Sequence, residues 1–368
     1  MSNSRSGTGR GRTPSRRIGT TAAERRGSTA RDTNGKTYRG GRGPGRTGRR
    51  RSVVVALAVS LALTLCGIGV FAYAANLSGG LDRFDAFNGL DDRPDKVVDG
   101  SLNVLVLGSD SRNPDSAEGS RADTIMMLHI PADGRKAYII SLPRDLWVPI
   151  PPSGNGSYGG GEDKLNSAMS HGGIPLMVST VENYSGVRVD HVIEIDFEGL
   201  KAVVDALGGV TMDVEMDFTS IHKPYREFTA GDQTMDGTTA LDYVRQRKQF
   251  PDGDFARMRH QQELLMAMMD KATSAGIIGD PSSVSAFLES TIDAMKVDEG
   301  FDLIATALQF SDLRSNDLVF MTLPNKDTGW VGDENVVLRD DELAPTMFAA
   351  LRDDELAGWV KKHPDAVK

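Results

Sequence analysis

The sequence predicts a single α/β domain over residues 98–360, set behind one membrane-spanning segment. Three observations carry this. From Val98 onward, short apolar runs that end in Gly or polar residues alternate with longer amphipathic stretches, the order that builds a sheet covered by helices. Residues 53–75 hold no charged side chain. The charge also changes sign across that stretch. Residues 1–51 hold fourteen Arg and one Lys against Glu24 and Asp32, 15 − 2 = +13, so the formal −9 of the chain leaves −9 − 13 = −22 beyond them.

Residues 1–51 are Gly, Ser, Thr and Arg with almost nothing apolar, so they cannot bury a core and read as a disordered basic tail. Residues 52–75 follow as the span. From Val53 to Ala75 a helix covers roughly 34 Å, enough to cross a bilayer. Arg49-Arg50-Arg51 stands before it and the acidic bulk after it. The positive-inside rule then puts the tail in the cytoplasm, against the anionic inner leaflet, and the bulk outside a cell membrane crossed once. A cleavable signal peptide is the rival, with Ala72-Tyr73-Ala74 as a small-x-small site. The apolar stretch exceeds the roughly 7–15 residues of an ordinary signal core, which favours an uncleaved anchor. The lone cysteine, Cys66, lies inside the span behind bulky Leu65, which disfavours lipid attachment. The outer domain then has no disulfide and must be held by its core.

Residues 76–97 are polar and read as a linker. Strands are expected at Leu102–Leu107, Thr124–Ile130 and Lys136–Leu142, the last two joined by the turn Pro131-Ala132-Asp133-Gly134. Helices are expected at Lys164–Ser170 and Pro175–Tyr184. A strand at His191–Phe197 follows, then a helix at Glu198–Leu207 closed by Gly208-Gly209, and a strand at Val210–Val214. Helices at Thr238–Arg247, Phe255–Thr273, Ser283–Met295 and Leu303–Phe310, a strand at Leu318–Leu323 and a helix at Glu342–Leu351 complete the domain. Residues 361–368 read as a terminal tail.

Three polar clusters fall at strand ends, where ligand sites form in α/β sheets: Gly108-Ser109-Asp110-Ser111-Arg112, Arg121-Ala122-Asp123 and Ser141-Leu142-Pro143-Arg144-Asp145. A fourth, Arg245, Arg247, Arg257 and Arg259, concentrates guanidinium groups in an acidic domain. Each alone reads as turn residues and ordinary ion pairs. Together they suit a diphosphate with a hard divalent cation, because carboxylates hold Mg²⁺ and Arg forks match phosphate oxygens. Nucleic acid is disfavoured by topology and charge. Gly154-Asn155-Gly156-Ser157-Tyr158-Gly159 matches G-x-G-x-x-G but follows Pro151-Pro152 and is not a strand-to-helix turn, so it reads as a loop. The Met and Leu of 264–269 (Met266, Met268 and Met269 among them) read as core, with the lining of a lipid cavity as the alternative.

These motifs, with Lys164-Leu165-Asn166-Ser167-Ala168, Asp196-Phe197-Glu198-Gly199-Leu200, Val203 to Val210, Ala240 to Arg247 and Asp254-Phe255-Ala256-Arg257 leading to Gln261-Gln262, resemble the LytR-CpsA-Psr family over about residues 100–350. The resemblance implies an α/β/α sandwich with a central mixed sheet and a hydrophobic cavity for a prenyl chain. It implies a transferase that moves a glycan-1-phosphate from a polyprenyl diphosphate donor to a peptidoglycan hydroxyl, the glycan being arabinogalactan, teichoic acid or capsule. Asp110 and Asp123 match the family's metal-site acids, with Mg²⁺ (or Mn²⁺) as the ion. Arg121, Arg144, Arg245, Arg247 and Arg257 match its phosphate-binding arginines, with Arg112 and Lys164 as weaker matches. His260 stands where Arg or Lys is common, leaving the role of Arg259 open. The rival is a binding module that holds lipid-linked precursors or wall polymer without chemistry.

Overall fold

The protein is described from a computed structural model over residues 80–109, 122–274, 281–310 and 312–366. The basic tail, the apolar span with Cys66, and Asp110, Arg112 and Arg121 lie outside the described residues. Among the described residues no helix is long and apolar enough to cross a membrane.

The chain enters through a short strand, β1 (Asp82–Phe84), and the first long strands, β2 (Leu102–Ser109), β3 (Ala122–Ile130) and β4 (Ala137–Ser141). A hairpin of β5 (Trp147–Ile150) and β6 (Gly161–Lys164) leads into helix α1 (Ser167–Ser185). Next come β7 (His191–Asp196), α2 (Phe197–Ala206), β8 (Val210–Val214), the small hairpin β9 (Phe218–Thr219) and β10 (Glu227–Phe228), and β11 (Gly231–Met235). Helices α3 (Gly237–Val244), α4 (Asp254–Ala272) and α5 (Pro281–Asp293) precede β12 (Met295–Asp298) and α6 (Leu303–Gln309). The chain closes with β13 (Leu318–Thr322), the hairpin β14 (Asn325–Val331) and β15 (Glu334–Arg339), α7 (Ala344–Arg352) and α8 (Leu356–Lys362).

Seven strands form the central sheet in the order β1-β12-β7-β2-β3-β4-β13. It is mixed: β2 runs parallel to β7 and antiparallel to β3. Alternation along β2 and β3 splits their side chains between two cores, as the pleat requires. Leu105, Leu107, Ile125 and Met127 pack with Leu176 and Met177 of α1 and with Met347 and Phe348 of α7. Val104, Val106 and Leu128 face the other way, toward Leu288 and Ile292 of α5, and Met126 packs with Leu265 of α4. Helices therefore cover both faces, as expected for a sandwich.

The linker reading of residues 76–97 is corrected from residue 81 onward. Leu81 and Ala86 are buried, and β1 pairs in parallel with β12. Three residues with two charges are too short and too polar to register as a strand in sequence. Arg93 binds Glu182 of α1 through Nη2 at 2.7 Å and Nε at 2.9 Å. Both side chains are nearly inaccessible, and Glu182 also accepts the Val189 amide at 2.8 Å. Removing one partner of such a pair strands a buried charge. Arg93→Ala should therefore lose about 3 kcal/mol of stability, read as a lower urea midpoint at unchanged slope.

The expected helix at Lys164–Ser170 begins instead at Ser167, because residues 161–164 pair with β5. Ser283–Met295 likewise ends early, and Met295 opens β12. The hairpin β14–β15 and strand β11 were missed, their polar residues giving no apolar run. Gly154–Gly159 lies in the β5–β6 connection, as a loop.

Candidate active site: an arginine–carboxylate cluster above an apolar slot

The top edge of the sheet brings together residues that are far apart in sequence. Ser109 and Ala122, the described neighbours of Asp110 and Arg121, pair with each other across β2 and β3. Asp123 is the second residue of β3 and Arg144 lies in the β4–β5 connection. Arg144 Nη1 donates to Asp123 Oδ1. Its Nε lies 3.5 Å from Asp145 Oδ2 and 3.4 Å from Asp254 Oδ2. The Asn166 amide donates to the Arg144 carbonyl at 2.9 Å, tying this loop to the start of α1.

Arg257 comes from the first turn of α4. Its Nη2 donates to Asp254 Oδ2 at 2.8 Å and to the Asp123 carbonyl at 3.3 Å, and Nη1 lies 4.0 Å from Asp123 Oδ1. Arg247 Nη1 lies 3.6 Å from Asp254 Oδ1. Asp254 thus stands among three arginines at the N-terminus of α4. The helix expected at Phe255–Thr273 begins one residue earlier, at Asp254, whose i,i+3 spacing to Arg257 is the signal the sequence offers. Arg245 is half-buried at the C-terminal cap of α3, two residues before Arg247.

Burial pulls the Arg144 guanidinium down, but Asp254, Asp145 and Asp123 outweigh it and its pKa is raised. Arg257 goes the other way: burial is the largest influence and its pKa is lowered, with Asp254 opposing and Arg144 adding to the fall. Arginine titrates so high that both stay charged at neutral pH. Three guanidinium groups, Arg144, Arg247 and Arg257, thus interlock with three carboxylates, Asp123, Asp145 and Asp254, at this edge of the sheet.

Two predicted residues stand apart from it. Lys164 Nζ binds Glu334 Oε2 of β15 at 2.7 Å, so its ammonium goes to the β14–β15 hairpin. Arg259 is clamped by Glu215 (Nη2–Oε1 3.0 Å) and by Asp252, an ordinary ion-pair network. Next to it, His260 is fully buried between the Tyr243 ring at 4.5 Å and the Phe250 ring at 4.7 Å. Burial, against the pull of Glu215, pushes the His260 pKa down to about 4. Unfolded histidine titrates near 6.5, so between about pH 4 and 6.5 the unfolded chain binds the extra proton. The contribution is fully present above about pH 6.5 and is lost as pH falls toward 4, on the order of 3 kcal/mol. Urea unfolding at pH 7 and pH 4.5 should show a loss that His260→Phe reduces.

Below the cluster lies an apolar slot of ≈ 50 Å³. Val106, Thr124 and Met126 form its sheet wall, Phe197 and Leu200 come from the α2 side, and Gln261, Leu264 and Leu265 from α4. Arg257, Gln261, Leu264 and Leu265 follow the i, i+4, i+7, i+8 spacing of one helix face, so the slot begins one turn below the guanidinium of Arg257. On the sheet, Thr124 follows Asp123. Gly108 is required at the rim, because a Cβ there would meet the Phe197 ring at 2.8 Å and Thr124 Cβ at 2.9 Å. Of the Met and Leu at 264–269, Leu264 and Leu265 line the slot, Met268 packs on the core that holds Phe197, Leu200 and Leu264 of its lining, and Met266 is exposed, against the core reading. Helical phase sets Met266 apart, since 266 points away from the face shared by 257, 261, 264 and 265, whereas Met268, four residues beyond Leu264, keeps that face one turn further along.

On the outer side of the cluster a cleft of ≈ 600 Å³ opens between residues 247–258 and the β14–β15 hairpin, with Pro143 and Asp145 between them. Among the described residues no group of three or more acidic, His or Cys side chains could hold a metal by itself.

The chain resembles curated proteins of wall assembly. It is 29% identical to the cell wall biosynthesis protein LcpA of Corynebacterium glutamicum, over 79% of this chain and 63% of that protein. It is 32% identical to the polyisoprenyl-teichoic acid–peptidoglycan teichoic acid transferase TagU of Enterococcus faecalis, over 55% of this chain and 62% of that protein. The chain thus spans less than two thirds of either relative. The crystal structure of B. subtilis TagV shares the fold, at a TM-score of 0.58 and 24% identity over 70% of this chain and 97% of that one. The LytR_cpsA_psr family model matches residues 81–350, taking in the sheet, the arginine cluster and the slot, and the chain belongs to that family.

Proposed function

We propose that the chain transfers a glycan-1-phosphate from a polyprenyl diphosphate donor to a hydroxyl of peptidoglycan, releasing polyprenyl phosphate. The observation that supports this best is the continuity of a guanidinium cluster with an apolar slot on one helix face. A donor with a doubly charged head and a hydrocarbon tail needs that pairing.

Phosphoryl transfer asks a protein for position and charge stabilisation rather than covalent help. In this reading Arg144, Arg247 and Arg257 hold the two phosphates, Arg245 and Arg121 are further candidates, and Arg112 and Lys164 are weaker ones. The acceptor oxygen forms a bond to the sugar-side phosphorus, and the bond from that phosphorus to the bridging oxygen breaks. The electron pair leaves with polyprenyl phosphate, and the acceptor proton passes to a carboxylate of the cluster. The prenyl chain enters the slot. At ≈ 50 Å³ the slot holds roughly one or two water volumes, so α4 and α2 must part from the sheet to admit it.

In the same reading a hard divalent ion, Mg²⁺ or Mn²⁺, would sit with the diphosphate. Such ions are held by one or two carboxylates plus substrate phosphates, and Asp123 is such a carboxylate, with Asp110 following the partnered end of β2. A cation there supplies further charge neutralisation at the diphosphate. Dialysis against EDTA should stop turnover, with recovery on adding Mg²⁺ or Mn²⁺ and no change in Tm. In the same reading residues 53–75 anchor the chain with its domain outside, where the lipid donor and peptidoglycan meet. The reading is tested by incubating the chain with a defined polyprenyl-diphosphate glycan and peptidoglycan fragments and assaying release of polyprenyl phosphate.

A further inference from the structure

The hairpin that walls the cleft beside the arginine cluster carries a tryptophan that the site described above does not use. Trp330 is 70% exposed, the largest exposure among the exposed large hydrophobic side chains of the described residues. An indole left this open, on a hairpin that walls a cleft, marks a contact surface. Its placement says which one. In the β14–β15 register, Thr328 pairs with Val337 and Trp330 with Asn335. Directly paired residues share a face of an antiparallel hairpin, as do residues two apart. Thr328, Trp330, Asn335 and Val337 therefore lie on one face, and Thr328, Asn335 and Val337 line the cleft together with Asp327 and Val336 of the same hairpin. The Val337 amide donates to the Asp145 carbonyl at 2.8 Å, which fixes the inner end of this face beside Arg144. Trp330 lies two residues, about 7 Å, further toward the hairpin tip.

We infer that this hairpin face is the acceptor groove, and that Trp330 stacks on a pyranose ring of the glycan strand while a hydroxyl of that strand reaches the arginine cluster. The inference rests on the transferase reading for what happens at the inner end. The chemistry at the outer end stands by itself. One face of a pyranose is a patch of C–H bonds, which packs on the electron-rich face of an indole, and its edge is a row of hydroxyls and acetamido groups. Asn335, directly opposite Trp330, and Thr328 offer side-chain donors and acceptors to that edge. A nucleic-acid strand would need basic residues along the groove. The hairpin instead carries Asp327, Asp333 and Glu334 against Lys326 and Arg339.

The test uses the full-length chain in detergent and a soluble β-1,4-linked N-acetylglucosamine tetramer, with no donor present. The wild type should bind the tetramer with a change in tryptophan emission. Trp330→Ala should weaken binding on the order of tenfold, and Trp330→Phe should recover most of it. Tyr225→Ala, which removes an exposed aromatic from the β9–β10 connection, should bind as the wild type does. In transfer assays Trp330→Ala should raise the acceptor KM by a similar factor while kcat and donor binding change less than twofold. No binding by the wild type, or equal binding by Trp330→Ala, overturns the groove. A chain that binds the tetramer through Trp330 but releases no polyprenyl phosphate keeps the groove and contradicts the transferase reading.

Discussion

Arg257→Ala should lower transfer by on the order of 10²- to 10³-fold, the loss seen when one preorganised donor to a developing charge is removed. The size follows from where Arg257 sits. Its guanidinium is almost inaccessible, oriented by Asp254 at 2.8 Å and by the Asp123 carbonyl at 3.3 Å. No reorganisation is needed when phosphate charge shifts from the transferred group to the leaving one. Low local dielectric makes each such contact worth more than it would be in water. Arg144→Ala should fall as far, because Arg144 is shared among Asp123, Asp145 and Asp254. Arg257→Lys should recover little, since an ammonium is a point charge without the planar fork that spans two acceptors. Folding is separable from this loss. Asp254 keeps Arg144 and Arg247 as neighbours when Arg257 is gone, so circular dichroism should show a folded chain. The Arg144→Ala, Arg257→Ala double variant should be little worse than either single, as groups acting on one transition state are not additive.

The second large effect concerns the slot. Leu265→Trp places a bulky ring between α4 and the sheet, where Leu265 and Met126 face each other. Overpacking should cost about 1–3 kcal/mol of stability, which a domain of this size can absorb. The effect on activity should depend on chain length in the donor. A long-chain polyprenyl diphosphate donor should lose at least tenfold in kcat/KM, and a donor cut to one or two isoprene units should change little. Met266→Trp, one residue on and facing solvent, should spare both. Equal losses for long and short donors would mean the ring disturbs the arginine cluster rather than the tail's path.

Much of this was legible in the sequence, and the parts that were not share physical causes. Buried strands announce themselves as apolar runs, so β2, β3, β4, β7, β8 and β13 were read close to their bounds. Edge and surface strands do not. Asp82–Phe84 enters the sheet with two charges in three residues, and Glu334–Arg339 pairs with a partner that begins Asn-Lys-Asp. The arginine cluster was legible because guanidinium groups at strand ends in an acidic domain are costly unless they meet anions. Its central carboxylate, Asp254, was passed over, since one acid at a helix start is common and its three arginines come from separate segments. Lys164 shows the same limit from the other side. Sequence proximity to Asn166, which does bind the Arg144 loop, could not show that the ammonium turns to Glu334. The slot was legible in Leu264 and Leu265 but not in its other walls, because Val106, Thr124, Phe197 and Leu200 come from segments far away in sequence.

Turnover itself tests the central claim most directly. The full-length chain in detergent is given a defined polyprenyl-diphosphate glycan, Mg²⁺ and peptidoglycan fragments, and the products are read by mass spectrometry. The account predicts equal amounts of released polyprenyl phosphate and of glycan-phosphate bonded to peptidoglycan, both lost in Arg257→Ala and Arg144→Ala. Donor that is bound by the wild type but recovered intact, with no phosphate-linked peptidoglycan, would contradict it and make the chain a module that holds lipid-linked precursors.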